Sequence, residues 1–233
     1  MLISKIIFIG LPGAGKSSVS AQLAEKHTLF SCSSDAIIKK VLNDYTNNTL
    51  SPESIYFKKL TELKATFINN GFDAEKVESA FQRQGYEKHS SAFMTLLNEP
   101  CWREVEATIT ASLINEHPDY MFDLGASQIL NDLVKEAIRD NDFHLVYLDA
   151  DEIAIEHHLL TPQIDGKPRW QSISNYQKAG DGWLSLAQEH RQTRGPQYAD
   201  IADEAILVHE NTSIDELVEA VEQLVNSKTP RPY

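Results

Sequence analysis

The sequence predicts an α/β fold: a five-stranded parallel sheet wrapped by helices. Three observations predict it. Five short apolar runs, Ile6 to Ile9, Leu29 to Cys32, Tyr120 to Leu124, Phe143 to Leu148 and Ala205 to Val208, are nearly continuous rather than alternating. That pattern is expected of strands covered on both faces. Stretches with helical spacing separate the runs, and strands alternating with helices imply a parallel sheet. Finally, 233 residues with 42% hydrophobic and 24% charged side chains can bury a substantial core without staples.

Taken in order, the start Met1 to Ile9 is apolar but lacks a basic leader and a small-residue cleavage site, so it reads as a strand rather than a signal peptide. Lys16 to Lys26 carries Val19 and Leu23 at i,i+4 spacing and reads as a helix. Residues 41–100 depart from the alternation. They hold no convincing buried strand, many helix formers, and Pro52, Gly71 and Gly85 as punctuation. This stretch is expected to be a helical insertion, either capping a substrate cleft or packed as an appendage. Residues 161–183 are rich in Gly, Pro and cations, a composition that suits a mobile lid. Ser213 to Val225 places Ile214, Leu217, Val218, Val221, Leu224 and Val225 on one stripe, and Ser213-Ile214-Asp215-Glu216 fits a capping box. The tail 226–233, with Pro230 and Pro232, is expected to fray. The whole, 1–233, is expected to be one domain carrying these additions.

Composition excludes some function classes. With 34 acidic and 21 basic residues the formal net charge is -13, which argues against a partner made of nucleic acid. No apolar run approaches the ~18 residues of a membrane span. Two cysteines, Cys32 and Cys101, cannot form a disulfide framework, so a cytoplasmic location is the default. The chain is expected to act on a small molecule as a monomer or weak homodimer.

The strongest local signal is Gly10-Leu11-Pro12-Gly13-Ala14-Gly15-Lys16-Ser17, followed by Ser18. It satisfies G-x-x-x-x-G-K-[ST] between a strand ending at Ile9 and a helix beginning near Lys16. Glycines let backbone N–H groups turn inward around a β-phosphate, and the helix N-terminus adds partial positive charge. Lys16 can bridge the β- and γ-phosphates, and the Ser17 hydroxyl can ligate Mg²⁺. The loop therefore points to ATP or a related nucleotide with Mg²⁺. It does not say what receives the phosphate.

Four further features resemble the shikimate kinase family, a group of small P-loop kinases. Ser33-Ser34-Asp35 follows the second strand, where that family has Asp-x-Asp. Trp102-Arg103-Glu104-Val105-Glu106 is similar to the family's Phe-Arg-x-x-Glu, and Asp123-Leu124-Gly125-Ala126-Ser127 stands where it has three glycines. Arg194-Gly195-Pro196-Gln197-Tyr198, leading into Ala202-Asp203, looks like its Arg-x-Pro-x-Tyr-x-x-x-Ala-Asp. The resemblance implies a P-loop kinase that transfers phosphate from ATP to a hydroxyl of a small, anionic metabolite. It implies that Asp35 binds and activates the acceptor hydroxyl, that Arg103 and Arg194 hold a substrate carboxylate, and that the Gly125 N–H approaches the substrate. Lys167, in Gly166-Lys167-Pro168, matches a lid arginine that contacts the transferring group.

The departures carry information too. Ser33 replaces an aspartate that supports Mg²⁺, and Asp123 at the end of the third strand is a candidate to compensate. Only Gly125 remains of the glycine run, and Ala126 adds a Cβ beside the ligand path. These changes leave open a different acceptor, such as a sugar acid or a nucleotide, or a regulatory nucleotide-binding module without turnover. Plainer roles also stand beside each residue. Asp35 could cap the following helix, with Ser33 and Ser34 as rivals. Arg103 could pair with Glu99 or Glu106 on its own helix, with Glu106 orienting it. Arg191 reads as a solvated helix residue, or as a stand-in for Arg194 if the lid register is shifted, Trp102 as packing, and Asp149 and Asp151 as turn and cap residues. The eight histidines form no ligand pattern, and the two cysteines read as core fillers.

Overall fold

Consecutive apolar residues in a strand need cover on both faces, and this requirement organises the chain. In the computed structural model, which describes residues 3–82, 92–162 and 166–227, the elements begin with β1 (Ile6–Ile9), α1 (Lys16–His27), β2 (Ser31–Ser33), α2 (Ser34–Thr46), α3 (Ile55–Asn69), α4 (Ala74–Phe81) and α5 (Glu99–Glu116). They continue with β3 (Met121–Asp123), α6 (Asp132–Asp140), β4 (His144–Ala150), α7 (Glu152–Leu160), α8 (Ser174–Ala179), α9 (Trp183–Ile201), β5 (Glu204–Val208) and α10 (Ile214–Ser227). The expected frayed tail from 228 onwards, residues 83–91 of the expected insertion, and residues 163–165 of the expected lid lie outside the described residues.

The five strands form one parallel sheet, as the sequence predicts, and their order is β2-β3-β1-β4-β5. β1 is buried along its whole length at the centre. Its neighbours run in register, Phe8 beside Asp123 on β3 and Ile9 beside Tyr147 on β4. The strand ends that carry candidate residues therefore line up at one sheet edge. The two outer strands differ from expectation. β5 exposes Ala205 and Leu207 alternately rather than being covered on both faces by the described residues. β2 starts at Ser31 rather than Leu29, since Thr28 ends α1 in the left-handed conformation (φ 56°) and the Leu29 N–H donates back to the Ala24 carbonyl at 2.8 Å.

The chain divides into two compact units. The first, Met1–Cys32, Asp119–Ala126 and Phe143–Tyr233, contains the sheet. Here α1 buries Val19 and Leu23, and α10 buries Leu217, Val218 and Val221. The capping box is present: the Ser213 N–H donates to Glu216 Oε2 at 2.7 Å, and the Glu216 N–H donates to Ser213 Oγ at 3.2 Å. Glu222 of α10 accepts from both Lys26 and His27 in the last turn of α1.

The second unit, Ser33–Pro118 with Ser127–Asp142, is helical. The described residues of 41–100 contain no strand, and their apolar side chains join a core of their own. Ile38, Leu42, Leu60, Phe67, Val77, Phe81, Phe93, Trp102 and Val105 all belong to it. Phe81 meets Phe93 edge-on at 5.0 Å between ring centroids, and Phe93 meets Trp102 at 5.7 Å. The helices start where side chains can satisfy their first N–H groups. Ser54, Asp73 and Asn98 accept from Tyr56, Lys76 and Cys101 respectively. Phe81→Ala should lower the stability of this unit by about 3–5 kcal/mol, because it opens a cavity among buried rings. Denaturant unfolding followed by tryptophan fluorescence measures the loss, which Trp102 in the same core would report.

Candidate active site

The phosphate-binding loop leaves β1 at its carboxyl end. Gly10 has φ +149°, and a Cβ there would lie 2.8 Å from the Leu148 carbonyl oxygen of β4. Only glycine lets the chain turn this close to the neighbouring strand. Gly15, at φ +90°, then turns the chain into α1 as its N-cap. The loop is held from two sides. Lys16 Nζ donates to the Gly10 carbonyl at 2.8 Å and the Leu11 carbonyl at 3.2 Å, while His158 Nδ1 of α7 donates to the Gly13 carbonyl at 2.7 Å. Ser17 and Ser18 stand exposed in the first turn of α1.

Asp123 ends β3 and is 5% exposed. Among the described residues no hydrogen bond ends on its carboxylate. Its charge is felt by Cys32, the penultimate residue of β2: burial first, and Asp123 second, push this thiol up to about 11. Cys32 is thus half-buried beside a carboxylate rather than a core filler, while Cys101 is buried as expected. A buried carboxylate without a hydrogen-bond donor suits a hard cation. Among the described residues there is no cluster of three or more His, Cys, Asp or Glu side chains that could hold a metal. A magnesium ion that keeps waters and takes phosphate oxygens needs only one or two protein oxygens, which Ser17 and Asp123 can supply.

At the end of β4 the structure corrects two readings. Arg191 of α9 is not a solvated helix residue. Its Nη1 donates to Asp149 Oδ1 at 2.8 Å and to the Ala150 carbonyl at 2.6 Å. Asp149 in turn is not a turn residue, and it also accepts from the Tyr147 hydroxyl at 2.9 Å. Burial and this carboxylate push the Tyr147 phenol above its ordinary value. Asp151 does cap α7, accepting from the Ala154 N–H at 2.8 Å. Arg194, one turn on from Arg191, lies against Tyr198 and Tyr176, and no carboxylate among the described residues pairs with it. The Tyr198 hydroxyl donates to the Ala126 carbonyl and so ties α9 to the segment that contains Gly125. Burial pushes the Tyr198 phenol up to about 12 against the pull of Arg194. Lys167 is exposed, and its neighbour Pro168 forms a bridge with Pro162.

The helical unit brings Asp35 and Arg103 into two linked sets of bonds. The helix α2 starts at Ser34 with Ser33 as N-cap, and Ser33 makes no side-chain capping bond. Asp35 Oδ1 accepts from Gln128 Nε2 at 2.9 Å. Arg103 is bound by Glu99 at 2.8 Å, by Glu106 at 2.7 Å and by Ser127 Oγ at 2.9 Å. Both same-helix pairings foreseen from the sequence therefore form together. Burial alone would lower the Arg103 pKa, but the two carboxylates reverse this and hold it above its ordinary value. Glu106 is raised by burial, against the pull of Arg103. Gln128 and the bond from Arg103 to Ser127 are not foreseen by the sequence reading. Gln128 lies 93 residues from its partner, and no local pattern announces it.

Cys32 reports on Asp123. A thiol near 11 is almost wholly protonated at pH 8, so alkylation there should be ~100-fold slower than for an ordinary thiol and should accelerate as pH rises. Asp123→Asn removes a charge that disfavours the thiolate, so it should lower this pKa and speed labelling. Iodoacetamide kinetics read by peptide mass spectrometry separate Cys32 from Cys101.

Comparison with known proteins places this geometry. The AAA domain family (AAA_33) matches residues 6–157. No curated protein matches the chain. Three solved shikimate kinases share its fold. The Bacteroides thetaiotaomicron enzyme has a TM-score of 0.57 at 15% identity, covering 95% of this chain and 98% of its own. The Acinetobacter baumannii enzyme, in complex with shikimate, has a TM-score of 0.56 at 17% identity, covering 95% and 92%. The Aquifex aeolicus enzyme has a TM-score of 0.51 at 15% identity, covering 95% of each. No helix among the described residues is long and apolar enough to cross a membrane. The loop, the parallel sheet and the family match agree: the chain belongs to the AAA domain family and has the P-loop kinase fold of the shikimate kinases.

Proposed function

We propose that the chain is an ATP-dependent kinase that phosphorylates a hydroxyl of a small anionic metabolite. The phosphate loop carries this reading, because its glycines and Lys16 are built into the end of β1 as triphosphate binding requires. Residues Gly10 to Ser18 would cradle the phosphates. Lys16 exchanges its loop carbonyls for the β- and γ-phosphate oxygens and neutralises charge that develops during transfer. Mg²⁺ arriving with the nucleotide would neutralise further phosphate charge, held by Ser17 and Asp123.

Asp35 would bind the acceptor hydroxyl and take its proton. Gly125 would offer its N–H to the acceptor, and Lys167 would contact the transferring group from the lid segment 161–183. The two arginines differ in what they can offer. Arg103 is already charge-balanced by Glu99 and Glu106, so an acceptor carboxylate would have to compete with both. Arg194 has tyrosine neighbours and no acidic partner among the described residues. Arg194 is therefore the main clamp for an acceptor anion, with Arg103 in support.

Coupled ADP release with a panel of hydroxylated acids, shikimate first, then sugar acids and nucleotides, tests the function. An acceptor that raises ADP release well above ATP alone supports it. ATP binding with no acceptor-dependent release would instead identify a nucleotide-binding module. Lys16→Ala should cut transfer by about 10²–10³-fold, equivalent to about 3–4 kcal/mol of transition-state stabilisation. Arg194→Ala should raise KM for the acceptor while leaving KM for ATP unchanged. Asp123→Ala should move the Mg²⁺ titration of activity to higher concentration, and an unmoved titration would remove Asp123 from the metal site.

A further inference from the structure

We infer that Gln128, oriented by Thr110, is a positioning residue for Asp35. The inference rests on the proposed role of Asp35 toward the acceptor hydroxyl. Gln128 opens the short 3-10 turn Gln128–Leu130 and is 3% exposed. Its Nε2 donates to Asp35 Oδ1 at 2.9 Å, and its Oε1 accepts from the Thr110 hydroxyl at 3.3 Å. Thr110 is fully buried in the middle of α5.

The two ends of a glutamine amide have nearly the same shape, so its partners decide which way it faces. An ionised Asp35 can only accept, and it demands the amide N–H₂. Thr110 supplies a donor for the oxygen at the other end. Both ends are then satisfied in a site where an unmet polar group would be costly.

Asp35 needs such a restraint because it has an acidic neighbour. Its charge contributes to raising Glu106, so the two carboxylates repel. Repulsion favours either a swing of the Asp35 side chain or uptake of a proton, and each would spoil a base. The amide opposes both, since it stabilises the ionised form and sets the plane of the carboxylate. The backbone step from Ser127 to Gln128 does more. Ser127 Oγ accepts from Arg103 and Gln128 donates to Asp35, so two consecutive residues fix the candidate clamp and the candidate base together.

The test uses the full chain with ATP and the acceptor that gives most ADP release, beginning with shikimate. Gln128→Leu should lower kcat by about 10- to 100-fold while KM for ATP changes less than about twofold. Thr110→Val, which keeps the shape and removes the hydroxyl, should lower kcat in the same direction by a smaller factor. In an Asp35→Asn background the Gln128→Leu effect should largely vanish, because Gln128 acts through that carboxylate. The ¹⁵N–¹H side-chain amide pair of Gln128 should be shifted and slow to exchange, and Asp35→Leu should return it towards ordinary positions. This signature needs no substrate and also shows whether each variant is folded. Equal losses from Gln128→Leu with and without Asp35, or an amide pair indifferent to Asp35, would overturn this inference alone. No acceptor-dependent turnover by the unaltered chain would overturn the kinase reading, and with it the catalytic meaning of the pair.

Discussion

The close approach of Gly10 to the Leu148 carbonyl is the constraint on which the nucleotide half depends. β1 and β4 run side by side in register, so their ends arrive at the same edge. A loop that must fold back over that edge cannot carry a Cβ at its first position. With glycine there, the backbone turns early enough for Lys16 to reach back over Gly10 and Leu11 and for α1 to start beneath the loop. His158 fastens the Gly13 carbonyl from α7, which makes the loop part of a packed assembly rather than a free turn. A preorganised loop loses less entropy when it closes on phosphate.

The helical unit solves a different problem, which is how to place ionised groups in a largely apolar setting. Its core is aromatic and aliphatic from Ile38 to Ile109, and Glu106 lies among those residues at 6% exposure. A lone buried carboxylate there would be strongly disfavoured. Arg103 makes it tolerable, and Glu99 and Ser127 complete the arginine's own bonding. The same logic reaches Asp35 through Gln128 and Thr110. Specific placement of charge is thus achieved with neutral polar groups as well as ion pairs.

Some of this was legible beforehand. The phosphate loop is a contiguous stretch whose chemistry requires particular residues at adjacent positions, so its pattern survives in the sequence. Strands β1, β3 and β4 and the capping box at Ser213 are likewise local patterns of burial or bonding. The pairing of Arg103 with Glu99 and Glu106 follows helical spacing and was also foreseeable. The start of β2 was not, because it turns on the conformation of a single residue, Thr28. The exposed alternation of β5 was not, because cover on each face depends on which elements pack there.

By itself, then, the sequence determined the α/β class, the phosphate loop and the helical character of the region beyond β2, since each is written in neighbouring residues. The tertiary structure alone decided the strand order, the partner of Asp35, the pairing of Arg191 with Asp149 and the isolation of the Asp123 carboxylate. Those contacts join residues that lie 93 and 42 positions apart, as with Gln128 and Asp35 or Arg191 and Asp149. Which distant side chains meet is set by sheet register and helix packing, and these depend on the balance of burial over the whole chain rather than on any local pattern.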